Sequence, residues 1–195
     1  MLPALVLIIC TVVYRIATGL LIHSGATGFA ELYPARAIAL CAAVYFPKSY
    51  KFSVPLAAFF ISDAVINYYY GVTLLDPQIL CRYFALILIG CFGLFLQNRA
   101  SLKTLIPASV AGSTIFYLIT NIFSWLGDPG YAKNHGGLIQ AVTVGLPQYS
   151  ATPSWMFFRN SVVSDLFFTL LFVACIQLGR QTGRARAGAR VARTA

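Results

Sequence analysis

Acidic side chains are scarce in this chain, with 5 Asp and Glu against 14 Lys and Arg in 195 residues. Only 10% of the residues are charged and 59% are hydrophobic. A soluble domain carries about 25% charged residues, so a soluble globular enzyme is excluded. Disorder is excluded as well, because 15 Phe and 11 Tyr bring too much apolar mass for a solvated chain. Catalytic signatures are equally scarce. The two histidines, His23 and His135, fall in expected outer loops with no metal-ligand spacing. There is no GxSxG, no HExxH and no glycine-rich phosphate loop, so the chain has no ATPase of its own. The five cysteines include no CxxC pair, and Gly90 and Gly93 around Cys91 are accounted for by close helix packing.

What the chain has instead is apolar runs, and a mean hydropathy of +0.78. A bilayer crossing takes about 20 apolar residues. Runs over 2–22, 35–46, 52–70, 78–96, 102–126 and 161–178 predict an all-α integral membrane protein of six transmembrane helices. Residues 1–178 form the membrane domain and 179–195 an Arg-rich tail. Between the last two runs lies 127–160, whose apolar stretch 138–146 is too short to cross and predicts an interfacial or re-entrant segment. The first run lacks a basic n-region and contains Arg15, so it reads as a retained helix rather than a signal peptide.

The net charge of +9 is distributed in a way that speaks to topology. With both termini cytoplasmic, the inner segments hold Lys48, Lys51, Arg99, Lys103, Arg180, Arg184, Arg186, Arg190 and Arg193, and the outer ones only Arg36, Lys133 and Arg159. This excess predicts a multi-pass protein of a bacterial inner membrane whose tail meets anionic lipid. No aromatic residues interleave the tail arginines, so no nucleic-acid partner is expected.

Ionisable groups in hydrocarbon are costly and mark function by default. Arg15, Asp63, Arg82 and Asp165 fall inside spans, with Arg82 and Asp165 placed about 6 Å below the outer end. Asn67 lies one turn above Asp63, and Tyr117, Asn121 and Trp125 share one helix face. The inner halves carry almost no polar groups. Two readings stay open: interhelical ion pairs beneath an aromatic belt, or a pocket open to the outside.

Cys10, Cys41, Cys91 and Cys175 sit among aliphatic neighbours as small hydrophobes. Cys81 differs by position. Asp76 and Pro77 predict a helix start, as N-cap and first helical residue, which puts Cys81 about one turn in and beside Arg82. A helix amino terminus and a nearby cation both favour a thiolate.

Six short helices, an apolar inner half and a long last outer loop resemble the S components of energy-coupling-factor vitamin transporters. The residues carrying the likeness are ARAIALCAAVYF (35–46), VPLAAFFISD (54–63), FYLITNIFSWLG (116–127) and FFRNSVVSDLFFTLLF (157–172). Within that group the chain is most similar to the solitary cobalamin transporters of the BtuM type, which have a cysteine at the start of the fourth helix. The resemblance implies that Cys81 ligates the cobalt of a corrinoid. It also implies that cobalamin is the cargo, and that thiolate ligation promotes loss of cyanide from the opposite face. The expected binding set is Cys81, Arg82, Asp63, Asn67, Tyr70, Tyr117, Asn121, Trp125 and Arg159, with Tyr68, Tyr69, Tyr83, Tyr131, Tyr149 and Trp155 available near the outer face.

One departure bears on partners. S components that share an ATPase module dock it through an AxxxA patch on the first helix, and the first run here has none. The nearest is Ala35, Ala39 and Ala43 on the second. Three alternatives remain: an S component for another vitamin or nucleobase precursor, a non-transporting assembly subunit packing through that alanine face, and a redox enzyme using Cys81 with Cys41 or Cys91.

Overall fold

The computed structural model describes residues 2–23 and 34–194, with side chains over 2–21 and 34–183. Seven α-helices follow one another: α1 (Leu2–His23), α2 (Ala35–Tyr45), α3 (Ser53–Tyr70), α4 (Pro77–Leu96), α5 (Leu102–Gly127), α6 (His135–Thr143) and α7 (Ser154–Thr194). No strand occurs among the described residues. Five of the helices, α1, α3, α4, α5 and α7, are long and apolar enough to cross a bilayer, which makes this a multi-pass, membrane-embedded all-α protein. Their ends follow local chemistry. The Asp76 carboxylate accepts from the Gln78 N–H at 2.7 Å with Pro77 opening α4, as the sequence predicts. Ser101 and Thr104 close a capping box on α5. Gly71 ends α3 at φ 66°, a left-handed turn that costs a glycine nothing.

The short helix α2 organises the rest. It has 11 residues, about 16 Å of helix against a hydrocarbon core of about 30 Å. Every residue from Ala35 to Val44 is buried, enclosed by α3, α4, α5 and α7. Segment 35–46, counted above as a span, is therefore a half-length helix inside the bundle. Its hydropathy misleads because a helix buried in protein and one facing lipid are equally apolar. Its first turn lies at the level of Asp165 on α7 and of Ser113 near the middle of α5. Its last turn packs Val44 against Leu105 and Val173, and Tyr45 and Phe46 against Phe172. Ala35, Ala39 and Ala43 are buried in this packing, so that face is not open to a partner.

Small residues bring the backbones together, since lipid offers helices no hydrophobic drive to associate. A Cβ placed on Gly93 of α4 would lie 2.8 Å from the Leu40 carbonyl oxygen of α2 and 2.9 Å from the Ala43 Cβ. Gly90 faces the Phe52 ring in the same way.

Two other expectations change. The last span begins at Ser154 rather than at residue 161, because 154–160 is itself apolar apart from Arg159 and Asn160, and the exposed Arg159 side chain lies along the outside of the helix. Asp165 is consequently about 17 Å into its helix instead of about 6 Å. The same helix runs on to Thr194, so the described part of the tail, 179–194, continues it; the side chains of Arg184, Arg186, Arg190 and Arg193 lie outside the described residues. Segment 138–146 is represented by α6, nine residues and too short to cross.

Replacing Gly93 by Ala should lower the thermal midpoint in detergent by the equivalent of about 1–3 kcal/mol, because the new methyl meets α2 backbone. Gly112, whose nearest neighbour to a Cβ is Ile89 at 3.4 Å, should accept Ala with no loss. Equal melting of the two variants would show that α2 and α4 are not tightly apposed.

Candidate functional site

Of the five buried charged side chains among the described residues, four are gathered in two ion pairs, and Lys51 is the fifth. Arg15 on α1 donates to Ser62 Oγ at 2.6 Å and pairs with Asp63 on α3. The second oxygen of Asp63 accepts from the Tyr83 hydroxyl of α4 at 2.8 Å, and the Arg15 guanidinium lies 5.6 Å from the Phe59 ring. Three helices thus meet at one carboxylate.

The second pair joins α2 to α7. Arg36 Nε lies 2.5 Å from Asp165 Oδ2, which also accepts from Ser113 Oγ of α5 at 2.6 Å. The guanidinium stands 4.9 Å from the Phe116 ring. Just below, Thr169 donates to Ser109 at 3.1 Å. Asp165 Oδ1 and Ser164 Oγ are buried without a hydrogen-bond partner among the described residues. The carboxylate sits beside the amino end of α2, near the Ala37 amide, where a helix dipole favours an anion.

Arg36, assigned above to an outer segment, is therefore a buried partner, and Arg82 takes no part: it is half-buried and forms no ion pair among the described residues. The short length of α2 explains the misplacement, since a charge at the start of an apolar run ordinarily lies at the membrane surface. Sequence reasoning also passed over Ser62, Ser109 and Ser113. Their signal is the i, i+4 spacing of Ser109 and Ser113, which puts two hydroxyls on one face of α5.

Towards the α6 end, α5 carries the predicted face. The Tyr117 hydroxyl donates to the Val142 carbonyl and Trp125 Nε1 to the Ala132 carbonyl at 2.9 Å. Asn121 donates to the Tyr117 carbonyl of its own helix at 2.8 Å. Lys133 donates to the carbonyls of Trp125 and Asp128. Tyr117 and Trp125 thereby fasten the α6 segment across the end of α5, and Gly145 turns the chain back at φ 77°. Burial, with Asp128 and Tyr149 adding to it, pushes the Tyr131 phenol in this cap above its ordinary value of about 10. A cleft of about 150 Å³ lies between α5 and α7, lined by hydroxyls and amides including Ser113, Thr120, Asn121 and Ser161.

Cys81 lies elsewhere. It is 7% exposed, on the side of α4 facing α5, with Sγ 3.9 Å from the Ile119 carbonyl oxygen. Tyr83, about 200° further round the same helix, faces Asp63. The thiol lines a groove of about 550 Å³ between α4 and α5, whose other walls include Leu80, Phe84, Ile122 and Phe123. The remaining predicted residues are spread out. Tyr70 donates to the Gly19 carbonyl at 3.0 Å, tying α3 to α1. The Asn67 amide nitrogen is buried without a partner among the described residues. Arg159 is exposed beside Asn160 and Trp155. The structure thus brings together Asp63 with Tyr83, and Tyr117 with Asn121 at the cleft, while among the described residues Cys81 lies in a different groove. No group of three or more His, Cys, Asp or Glu that could hold a metal ion occurs among the described residues.

Breaking a buried pair by removing one partner costs about 3–5 kcal/mol, because it strands the other charge. Arg36→Gln and Asp165→Asn should each lower the thermal midpoint markedly, and the double variant should recover much of the loss. A double variant no more stable than the worse single one would mean that the two charges do not compensate each other.

No curated protein and no solved structure matches this sequence. A family match covers residues 1–186, all seven helices up to the last turns of α7, and on that match the chain belongs to DUF6580, a family of unknown function.

Proposed function

We propose that this protein binds a corrinoid, cobalamin, from the α6 side of a bacterial inner membrane and carries it inward, with Cys81 as axial ligand to the cobalt. One observation carries the proposal: among the described residues, Cys81 offers the only heteroatom-bearing side chain in the groove between α4 and α5. A bare divalent ion needs several ligands, and the described residues provide no cluster of them. A metal that arrives already held by a macrocycle needs one more donor, and a polarizable sulfur suits it. The exposed rings and aliphatic chains of Leu80, Phe84 and Leu126 around the thiol suit a flat apolar partner.

On this proposal the bundle is an S component in layout, with α2 as a sixth, half-length helix and both termini cytoplasmic. The positive charges at the end opposite α6 support that orientation. The buried alanines of α2 and the absence of an AxxxA patch on α1 favour a solitary transporter over one that docks a shared ATPase. Burial of the same alanines removes the surface through which a non-transporting assembly subunit would pack.

Titrating hydroxocobalamin into detergent-purified protein should shift the corrinoid absorbance bands, and Cys81→Ser should abolish the shift and weaken binding by about tenfold or more. Equal spectra and equal affinity for wild type and variant would overturn the assignment of Cys81. Binding of haemin with no binding of hydroxocobalamin would replace the corrinoid by another metallated macrocycle.

A further inference from the structure

Among the described residues, the end of the bundle opposite α6 carries charge of one sign only. Lys48, Lys51, Arg99, Lys103 and Arg180 lie there at the ends and connections of α2 to α5 and along α7. The described acids are all elsewhere: Asp63 and Asp165 in the two mid-depth pairs, Asp76 and Asp128 at the α6 end. These cations have no anion of their own chain near them among the described residues.

Between α2, α5 and α7 this end opens into a cavity of about 330 Å³. Tyr45, Gln97, Asn98, Ser101, Gln177 and Arg180 line its polar wall, and Val44, Leu102 and Val173 its apolar floor. Lys51 Nζ donates to Gln97 Oε1, which leaves both N–H donors of the Gln97 amide for a ligand. Arg180 stands 5.9 Å from the Tyr45 ring, a stacking that holds a flexible guanidinium at the mouth. The amino end of α5, capped at Ser101, forms part of the wall and adds its positive dipole end. A guanidinium, side-chain amides and a hydroxyl around a space with an apolar floor make a donor set for an anion with several oxygens, attached to something apolar.

We infer that this cavity binds a phosphate diester, with Arg180 as its principal ligand, and that the phosphate belongs to the headgroup of an anionic phospholipid. The acyl chains leave over the Val44, Leu102 and Val173 floor, and the surrounding lysines and arginines concentrate anionic lipid at this end of the protein. The site is separate from the Cys81 groove and stands whether or not a corrinoid binds there.

Native mass spectrometry of the protein released from nanodiscs of phosphatidylcholine with phosphatidylglycerol reads the site directly. Wild type should retain one phosphatidylglycerol in preference to phosphatidylcholine, and Arg180→Gln should reduce that preference by about tenfold. Arg159→Gln, at the other end, should leave it unchanged. Glycerophosphoglycerol, the soluble phosphate diester that is phosphatidylglycerol without its acyl chains, is the second arm. If it displaces the lipid at comparable concentration, the phosphate chemistry holds and the source is a soluble ester; if it does not, the lipid is the ligand. Should Arg180→Gln misfold, Gln177→Leu reads the same site. Equal retention of the two lipids by wild type, or an unchanged preference in both cavity variants, would overturn the site.

Discussion

A charge taken into hydrocarbon must find its opposite, and the architecture follows from how this chain meets that demand. Arg36 stands on the first turn of α2, a half-length helix, and is buried at 5% exposure. Asp165 must lie at the same depth on α7, and Ser113 must reach the same oxygen from α5. Those contacts fix the height of α2 relative to both neighbours. Once α2 is seated, its small residues take the close approach of Gly93, and α4 packs along it. The Arg15 and Asp63 pair does the same for α1 and α3, with Tyr83 linking them to α4. Pairs of this kind add little net stability against an apolar replacement, but they penalise every arrangement that separates the partners. Their role here is to set register among helices whose lipid-facing sides are interchangeable.

The two ends of the bundle are built for different surroundings. At the α6 end, α5 contributes a tyrosine and a tryptophan that clamp the following segment, and the polar cleft beneath them reaches Ser113, a ligand of Asp165. A polar path therefore leads from the cap towards the buried carboxylate. The opposite end has cations, amides and an open cavity. Cys81 lies near the α6 end but off that path: its groove, lined by the first turns of α4 and the last turns of α5, runs along the side of the bundle, and its surroundings are apolar except for the sulfur itself.

Much of this was legible in the residues. Five long apolar runs became five membrane-length helices, and Asp76 with Pro77 marked the start of α4. The length of 138–146 announced a segment that does not cross. The intramembrane charges were recognised as the informative groups, and ion pairing was one of the two readings they allowed. What failed was depth. Residues 154–160 look like a loop end because Arg159 and Asn160 interrupt them, yet an arginine on the outside of a helix does not end it. Arg36 looked like a surface charge because apolar runs ordinarily begin at the surface.

Composition and hydropathy period are properties of a chain with its neighbours along the sequence, and they determined that this protein is helical, lies in a membrane and concentrates positive charge at particular connections. Only the tertiary structure decided which charges meet, that α2 is enclosed and half-length, and that Cys81 and Asp63 face opposite sides of the bundle around α4. The physical reason is that an apolar helix looks the same to lipid and to protein. Partner choice and depth are therefore set by contacts between residues far apart in the chain, such as Arg36 and Asp165, which local pattern does not encode.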